Sequence, residues 1–269
     1  MVYNMNKVVA NSDIVFITLD TLRYDIAQAA FEAGQLPNFA AWLPATGWEK
    51  RHSPGSFTYA AHHAFFAGFL PTPATPGKHP RLFATAFAGS ETAVEHTCIL
   101  EAATIVEGLA NRGLTTICIG GVGFFNQQTP LSRVFPALFQ HSYWTTDLGV
   151  TNPDSTQVQL EQAAQALKAH PEPTFLFINV SAIHQPNYFY LKNATSSNKE
   201  DTLESHAAAL HYVDQQLPIL QAALAVRSRP TFVICCADHG TTYGENGYTG
   251  HRLAHEKVWN VPYLECLLV

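Results

Sequence analysis

The stretch DIVFITLD, residues 13–20, is an apolar, β-rich run that ends in a carboxylate. Nearly continuous apolar runs of this kind are typical of strands that are buried on both faces of a parallel sheet. Longer helix-compatible stretches separate the runs, so the sequence predicts an α/β fold with a mostly parallel central sheet flanked by helices. The strand-like runs are Ile14–Leu19, Thr115–Ile119, Thr174–Val180 and Thr231–Cys236.

Two of the intervening stretches are the clearest helix candidates. Glu101–Arg112 and Leu203–Leu224 have helix-compatible composition, and Pro218 is expected to kink or divide the second helix. The chain has 269 residues, of which 47% are hydrophobic and 13% are charged, which suffices for one substantial core. We therefore expect a single domain over residues 1–269.

The charge and the hydropathy pattern argue against several classes of partner. A formal net charge of −6 and a pI near 6.1 provide no broad cationic surface for nucleic acid or for anionic lipid. No segment reaches about 18 consecutive apolar residues, and residues 1–20 lack the pattern of a secretion signal. These features predict a cytoplasmic protein with no nucleic-acid partner and no membrane partner.

Potential metal ligands follow the first and the last of the predicted strands. Asp20 ends the first strand, and Asp238 and His239 follow the last apolar run. Ligands of open α/β sheets commonly bind beyond the carboxyl ends of the strands. Asp and neutral His suit a divalent ion such as zinc, with manganese, magnesium or calcium as alternatives. The structural alternatives are Asp20 as a helix N-cap, and Asp238 in a turn beside a surface His239.

A threonine at the start of a predicted helix is the candidate nucleophile. In SPGSFTYAAHHAFFAGFLP, residues 53–71, Gly55 introduces a turn and the helix-compatible stretch begins at Thr58. Backbone N–H groups at a helix N-terminus favour an anion, and a nearby metal would lower the pKa of the Thr58 hydroxyl. The structural alternative is a helix cap formed by Ser56 or Thr58.

Two further histidine groups lie beyond predicted strands. NVSAIHQPNYF, residues 179–189, contains His184, and GENGYTGHRLAHE, residues 244–256, contains His251 and His255. These side chains are candidates to bind a second ion or the substrate, with packing or surface roles as the alternative.

Taken together, these segments resemble the alkaline phosphatase superfamily, particularly its sulfatase-like and phosphoethanolamine-transferase-like branches. ITLDTLRYD at 17–25 resembles the opening metal-site motif, and TYAAHHAFFAGFLP at 58–71 resembles the nucleophile helix of nucleotide pyrophosphatase-like members. ADHGTTYGENGYTGH at 237–251 is similar to the late metal-binding motif. The motifs occur in the expected order and span most of the chain.

The resemblance implies one metal site with Thr58 as both ligand and nucleophile. It also implies that His184 and His251 approach the transferred group or a second metal, with His255 as a positional substitute for His251. The implied ligands of the first metal are Asp20, Thr58, Asp238 and His239.

Two departures from the family pattern narrow the expected chemistry. Thr58 stands where arylsulfatases need cysteine or serine for conversion to formylglycine, and Thr21 stands where sulfatases have a second aspartate. We therefore expect a metal-dependent hydrolase or transferase that acts on a small-molecule or conjugate ester of phosphate or a related oxyanion. The alternatives are a sulfate- or phosphonate-ester hydrolase that works without formylglycine, and a non-catalytic relative that binds metal.

Overall fold

A computed structural model of the chain describes residues 3–68, 104–192 and 199–269 and shows an α/β fold. Its strands are β1 (Asp13–Leu19), β2 (Glu49–His52), β3 (Thr115–Ile119), β4 (His141–Tyr143), β5 (Thr174–Val180), β6 (Thr231–Cys236), β7 (Thr242–Tyr243), β8 (Thr249–Gly250) and β9 (Asn260–Leu268). Its helices are α1 (Met5–Asn11), α2 (Tyr24–Glu32), α3 (Pro37–Ala40), α4 (Thr58–Ala67), α5 (Ile105–Asn111), α6 (Pro130–Arg133), α7 (Ser155–Ala169), α8 (Leu203–Ala225) and α9 (Glu256–Trp259).

The central sheet is mostly parallel, as the sequence predicted. Its strand order is β2-β9-β6-β1-β5-β3-β4. The strands from β6 to β4 pair in parallel, whereas β9 pairs antiparallel with β6 and β2 pairs antiparallel with β9. Six of the seven residues of β1 are buried, which explains why its sequence is continuously apolar instead of alternating.

The four predicted strands are all present in the sheet, three of them with the predicted bounds. The first begins one residue earlier, at Asp13, whose buried carboxylate accepts a hydrogen bond of 2.7 Å from Nε of Arg227. The prediction missed β2, whose residues EKRH are all exposed. A short, charged edge strand has no apolar pattern by which the sequence could reveal it.

The two predicted helices are also present, with differences at their ends. Helix α8 continues through Pro218 without dividing, from Leu203 to Ala225. Helix α5 begins at Ile105, because Thr104 forms a capping box in which its hydroxyl accepts from Glu107 N at 3.2 Å. Residues 101–103 of the predicted helix lie outside the described residues.

Both faces of the sheet are covered by apolar side chains, which leaves the strand ends as the place for polar chemistry. On one face, Val15, Ile17 and Leu19 of β1 pack with buried residues of α7 and α8. On the other face, Ile14 and Phe16 pack with an aromatic cluster that includes Phe66 of α4. The carboxyl ends of β1 and β6, which are adjacent parallel strands, therefore deliver the residues that follow them to the same edge of the sheet.

No helix in the described ranges combines the length and the apolarity needed to cross a bilayer.

Candidate metal centre and nucleophile

Three potential metal ligands converge at the carboxyl edge of the sheet. Asp20 follows β1, and Asp238 and His239 follow β6. One ligand atom from each of the three lies within 4.8 Å of the others, and all three side chains are fully buried. Helix α2 begins at Tyr24, so Asp20 is not its N-cap, and His239 is not a surface residue. The alternatives of a capping Asp20 and a surface His239 are therefore wrong.

The hydroxyl of Thr58 lies in the same buried space. Thr58 Oγ1 is 3.4 Å from Asp20 Oδ2 and 3.3 Å from His239 Nε2. Thr58 is the first residue of α4, and Phe57 occupies the N-cap position without a side-chain capping bond. Neither Ser56 nor Thr58 caps the helix, so the Thr58 hydroxyl is left to face the carboxylates and the imidazole.

Each of the two buried carboxylates has one oxygen that is satisfied and one that is not. Asp20 Oδ2 accepts from Asn179 Nδ2 at 3.3 Å, and Asp238 Oδ1 accepts from the backbone N–H groups of Thr21 at 3.2 Å and His239 at 2.9 Å. Asp20 Oδ1 and Asp238 Oδ2 have no hydrogen-bond partner among the described residues. A buried, unpaired carboxylate oxygen is costly, and a cation would satisfy it.

The pKa values of Asp20, Asp238 and His239 also favour a bound cation. Burial, and then repulsion from Asp238, raises the pKa of Asp20 to about 6, and burial raises the pKa of Asp238 to about 7. Burial lowers the pKa of His239. Two carboxylates and a neutral imidazole in one dry space repel one another through their lone pairs, so the donor set suits a divalent cation.

The tautomer of His239 is set by the backbone carbonyl group of the next residue, Gly240. The contact between His239 Nδ1 and the carbonyl oxygen of Gly240 is 2.8 Å, so Nδ1 carries the proton and donates it. Nε2 then directs its lone pair toward Asp238 Oδ2 at 3.5 Å and Asp20 Oδ1 at 3.9 Å. This arrangement, in which one ring nitrogen is fixed by a backbone carbonyl and the other is free to bind, is typical of metal-ligating histidines.

The residue after Asp20 supports the site through its backbone. Thr21 is fully buried and has a φ of 64°, a left-handed conformation that is uncommon for a β-branched residue. This conformation directs its N–H group toward Asp238, while its hydroxyl donates to the carbonyl oxygen of Ile183 at 3.3 Å. Thr21 thus links the ends of β1 and β6 to the loop that carries His184.

His184 and His251 lie beside the ligand group and are not part of it. The ring centroid of His251 is 4.6 Å from that of His239 and 6.0 Å from that of His184. His184 Nδ1 donates to the carbonyl oxygen of Gln185 at 2.6 Å, which leaves Nε2 free. His251 Nδ1 is buried without a partner among the described residues, and burial lowers the pKa of His251 to about 3.

His255 has a structural role that separates it from this group. It is the N-cap of α9, and its Nδ1 accepts from Lys257 N at 3.1 Å. Because that nitrogen caps a helix, His255 does not substitute for His251 in the site.

One histidine that the sequence interpretation did not select lies directly beneath the site. His62 is fully buried, its Nδ1 donates to Thr58 O at 2.7 Å, and its Nε2 is 3.1 Å from Thr18 Oγ1. It therefore joins the first turn of α4 to the end of β1, and burial lowers its pKa to about 3. Its spacing of four residues from Thr58 on a helix is the sequence signal that could have revealed it.

A known protein family covers almost the whole chain. The model of the sulfatase family matches residues 12–265. No curated protein sequence matches the chain significantly.

Three solved structures show the same fold. The soluble domain of lipooligosaccharide phosphoethanolamine transferase A from Neisseria meningitidis is 16% identical, with a TM-score of 0.63 and coverage of 96% of this chain and 77% of that chain. The C-terminal periplasmic domain of EcEptC from Escherichia coli, in complex with Zn, is 11% identical, with a TM-score of 0.64 and coverage of 96% and 73%. A protein in the alkaline phosphatase superfamily from Vibrio parahaemolyticus is 16% identical, with a TM-score of 0.58 and coverage of 95% and 60%. Because the Escherichia coli domain is periplasmic, the cytoplasmic location of this chain stays a prediction.

Proposed function

This chain belongs to the sulfatase family, within the alkaline phosphatase superfamily, and we propose that it is a metal-dependent hydrolase or transferase that acts on a phosphate or related oxyanion ester. The observation that carries the proposal is the convergence of the Thr58 hydroxyl with three ligand atoms of Asp20, Asp238 and His239 in a buried space. The solved phosphoethanolamine transferase domain with the same fold supports phosphoryl-type transfer.

The residues that would hold a divalent metal are Asp20, Asp238, His239 and Thr58. Mixed carboxylate and imidazole ligands suit zinc, and the zinc complex of the similar Escherichia coli domain supports that choice over manganese, magnesium or calcium. The chemistry that such an ion supplies is a lower pKa for a bound hydroxyl and stabilisation of negative charge on the attacked group.

Thr58 is the proposed nucleophile. Its hydroxyl is the one side-chain oxygen on the first turn of α4 that faces both Asp20 and His239. The first turn of a helix leaves backbone N–H groups without intrahelical partners, and these groups and the helix dipole stabilise an anion next to Thr58. Attack by deprotonated Thr58 Oγ1 on phosphorus would form a covalent threonine ester and break the bond from phosphorus to the substrate's alcohol oxygen, which leaves as the alcohol. Water or an acceptor alcohol would then displace Thr58 from phosphorus and regenerate its hydroxyl.

His184 and His251 are the proposed partners of the reacting group. Each has a ring nitrogen that no hydrogen bond from the described residues occupies, at His184 Nε2 and His251 Nδ1. His251, which its low pKa keeps neutral, would hydrogen-bond to the oxyanion, and the imidazole of His184 would deliver a proton to the leaving oxygen as its bond to phosphorus breaks.

A second candidate function is hydrolysis of a sulfate or phosphonate ester by Thr58 directly, because the family model that matches the chain is that of sulfatases. The two functions differ in the ester that is cleaved. Matched phosphate, phosphonate and sulfate esters of one chromogenic alcohol, assayed with metal-loaded protein and with the Thr58→Ala variant, separate them.

We expect cleavage of a phosphate ester that is lost in Thr58→Ala. Preferred cleavage of the sulfate or the phosphonate would support the second candidate. Bound metal without turnover across the whole panel would contradict both and indicate a non-catalytic relative.

A further inference from the structure

We propose that Arg252 is a substrate-recognition residue whose guanidinium binds the anionic group of the ester at the mouth of the site. The proposal rests on the proposed function, because it assigns the residue that selects the charge of the same substrate. Arg252 directly follows His251 and is exposed.

The position of Arg252 is fixed against the start of the nucleophile helix. Its backbone N–H donates to the carbonyl oxygen of Ser56 at 2.8 Å, and its guanidinium carbon lies 5.4 Å from the ring centroid of Phe57. Phe57 is the N-cap of α4 and immediately precedes Thr58. The guanidinium therefore lies near the N-terminal end of α4, on the side where the loop carrying His251 meets the helix.

The charge of Arg252 is not neutralised within the described part of the chain. Arg23, Arg51 and Arg227 each form an ion pair with a carboxylate, whereas Arg252 has none within 4.0 Å. An arginine that packs on an aromatic ring keeps its N–H donors in the plane of the guanidinium, where they can bind two oxygens of a phosphate.

The charge balance of the metal site leaves a role for the positive charge of Arg252. The carboxylates of Asp20 and Asp238 offset the two positive charges of a divalent ion, so the filled metal site has little net charge with which to attract an anionic ester. The guanidinium of Arg252 adds a positive charge beside it.

The backbone of Arg252 supports a functional assignment. Its φ of 69° is left-handed, a conformation that an L residue rarely adopts, and it follows Gly250 with a φ of 94°. Such outliers persist where the surroundings enforce them, and here the hydrogen bond to Ser56 holds the residue in place.

The test is calorimetric binding of inorganic phosphate to the metal-loaded protein, compared among wild type, Arg252→Ala, Arg252→Lys and Arg112→Ala. Arg112, at the end of α5, is an exposed arginine that serves as the matched control. Alanine has the same β-carbon restriction at a left-handed position as arginine, so Arg252→Ala changes the charge without changing the backbone preference.

We expect Arg252→Ala to weaken phosphate binding about tenfold or more, with metal content and melting temperature unchanged, because a charge-assisted pair to phosphate is lost. Arg252→Lys should keep part of the affinity, and Arg112→Ala all of it. The salt dependence of phosphate binding should also be weaker in Arg252→Ala than in wild type.

Wild-type affinity in Arg252→Ala, while wild type binds phosphate and cleaves an ester, would overturn this assignment and leave the proposed function intact. Failure of the metal-loaded wild type to bind phosphate or to cleave any ester of the panel would overturn both.

Discussion

The hydroxyl oxygen of Thr58 lies 3.3 Å from Nε2 of His239, although the two residues are 181 positions apart in the chain. The contact forms because α4 begins where β6 ends. Since His239 Nδ1 is committed to the carbonyl oxygen of Gly240, the lone pair of Nε2 and the Thr58 oxygen share one polar space with two carboxylates.

Replacing Thr58 by alanine should reduce turnover by about a thousandfold or more, because only binding and electrostatic assistance would remain. Thr58→Ser should retain some activity, since it keeps an oxygen at the same position. Steady-state kinetics measure the turnover of each variant, and peptide mapping after trapping with substrate identifies the residue that carries the label. Ser56→Ala, in the same loop, is the control. Near-normal turnover by Thr58→Ala, or a label found on Ser56, would contradict the assignment.

Combining Asp238→Asn with His239→Ala should abolish binding of the divalent metal, because it removes a charged oxygen and a neutral nitrogen from one ligand set. Asparagine keeps a side-chain oxygen that can accept from the backbone N–H of Thr21, which protects the fold. Elemental analysis of the folded protein measures the outcome. His141→Ala combined with Asp147→Asn is a matched control away from the site, and equal metal content in both double variants would remove the central premise.

His184→Ala and His251→Ala should each keep the metal and lower turnover, by about a hundredfold to ten-thousandfold for His184→Ala, which removes the proposed general acid. Metal content and kinetics are measured on the same preparations. His255→Ala is the matched control: losing its cap of α9 should cost on the order of 1 kcal/mol of stability and leave turnover near wild type. Unchanged turnover and substrate binding in both site variants would assign His184 and His251 to packing.

The fully buried His206 should make the protein less stable in acid. Burial, and then the charge of Arg23, lowers its pKa from 6.5 to about 3, so the unfolded chain binds a proton in this range that the folded chain does not. The stability contributed by neutral His206 is fully present above pH 6.5 and is lost as the pH falls toward 3.

Denaturant unfolding of wild type and His206→Gln between pH 4 and pH 7 tests the direction of this pH dependence. The free energy of unfolding of wild type should rise with pH more steeply than that of the variant, by at most about 1.4 kcal/mol per pH unit. Parallel curves for the two proteins below pH 6.5 would show that burial of His206 does not control this dependence.

The strands of the sheet core could be predicted from the sequence because their signal is local. Thr115–Ile119, Thr174–Val180 and Thr231–Cys236 are mostly apolar and almost entirely buried, since helices or loops cover both faces of the sheet. The edge strand β2 has no such signal, because its side chains are polar and exposed. Pro218 does not divide the second predicted helix, because α8 continues through it from Leu203 to Ala225.

The sequence by itself determined which residue types end the strands and begin the nucleophile helix: Asp20, Asp238 and His239 after apolar runs, and Thr58 after a glycine turn. Only the tertiary structure decided how these residues meet and what supports them. The left-handed Thr21 that directs its amide to Asp238, and the capping role of His255, are examples. The physical reason is that strand and helix signals arise from neighbours in the chain, whereas hydrogen bonds and charges at a site depend on which strand ends the packed sheet brings together.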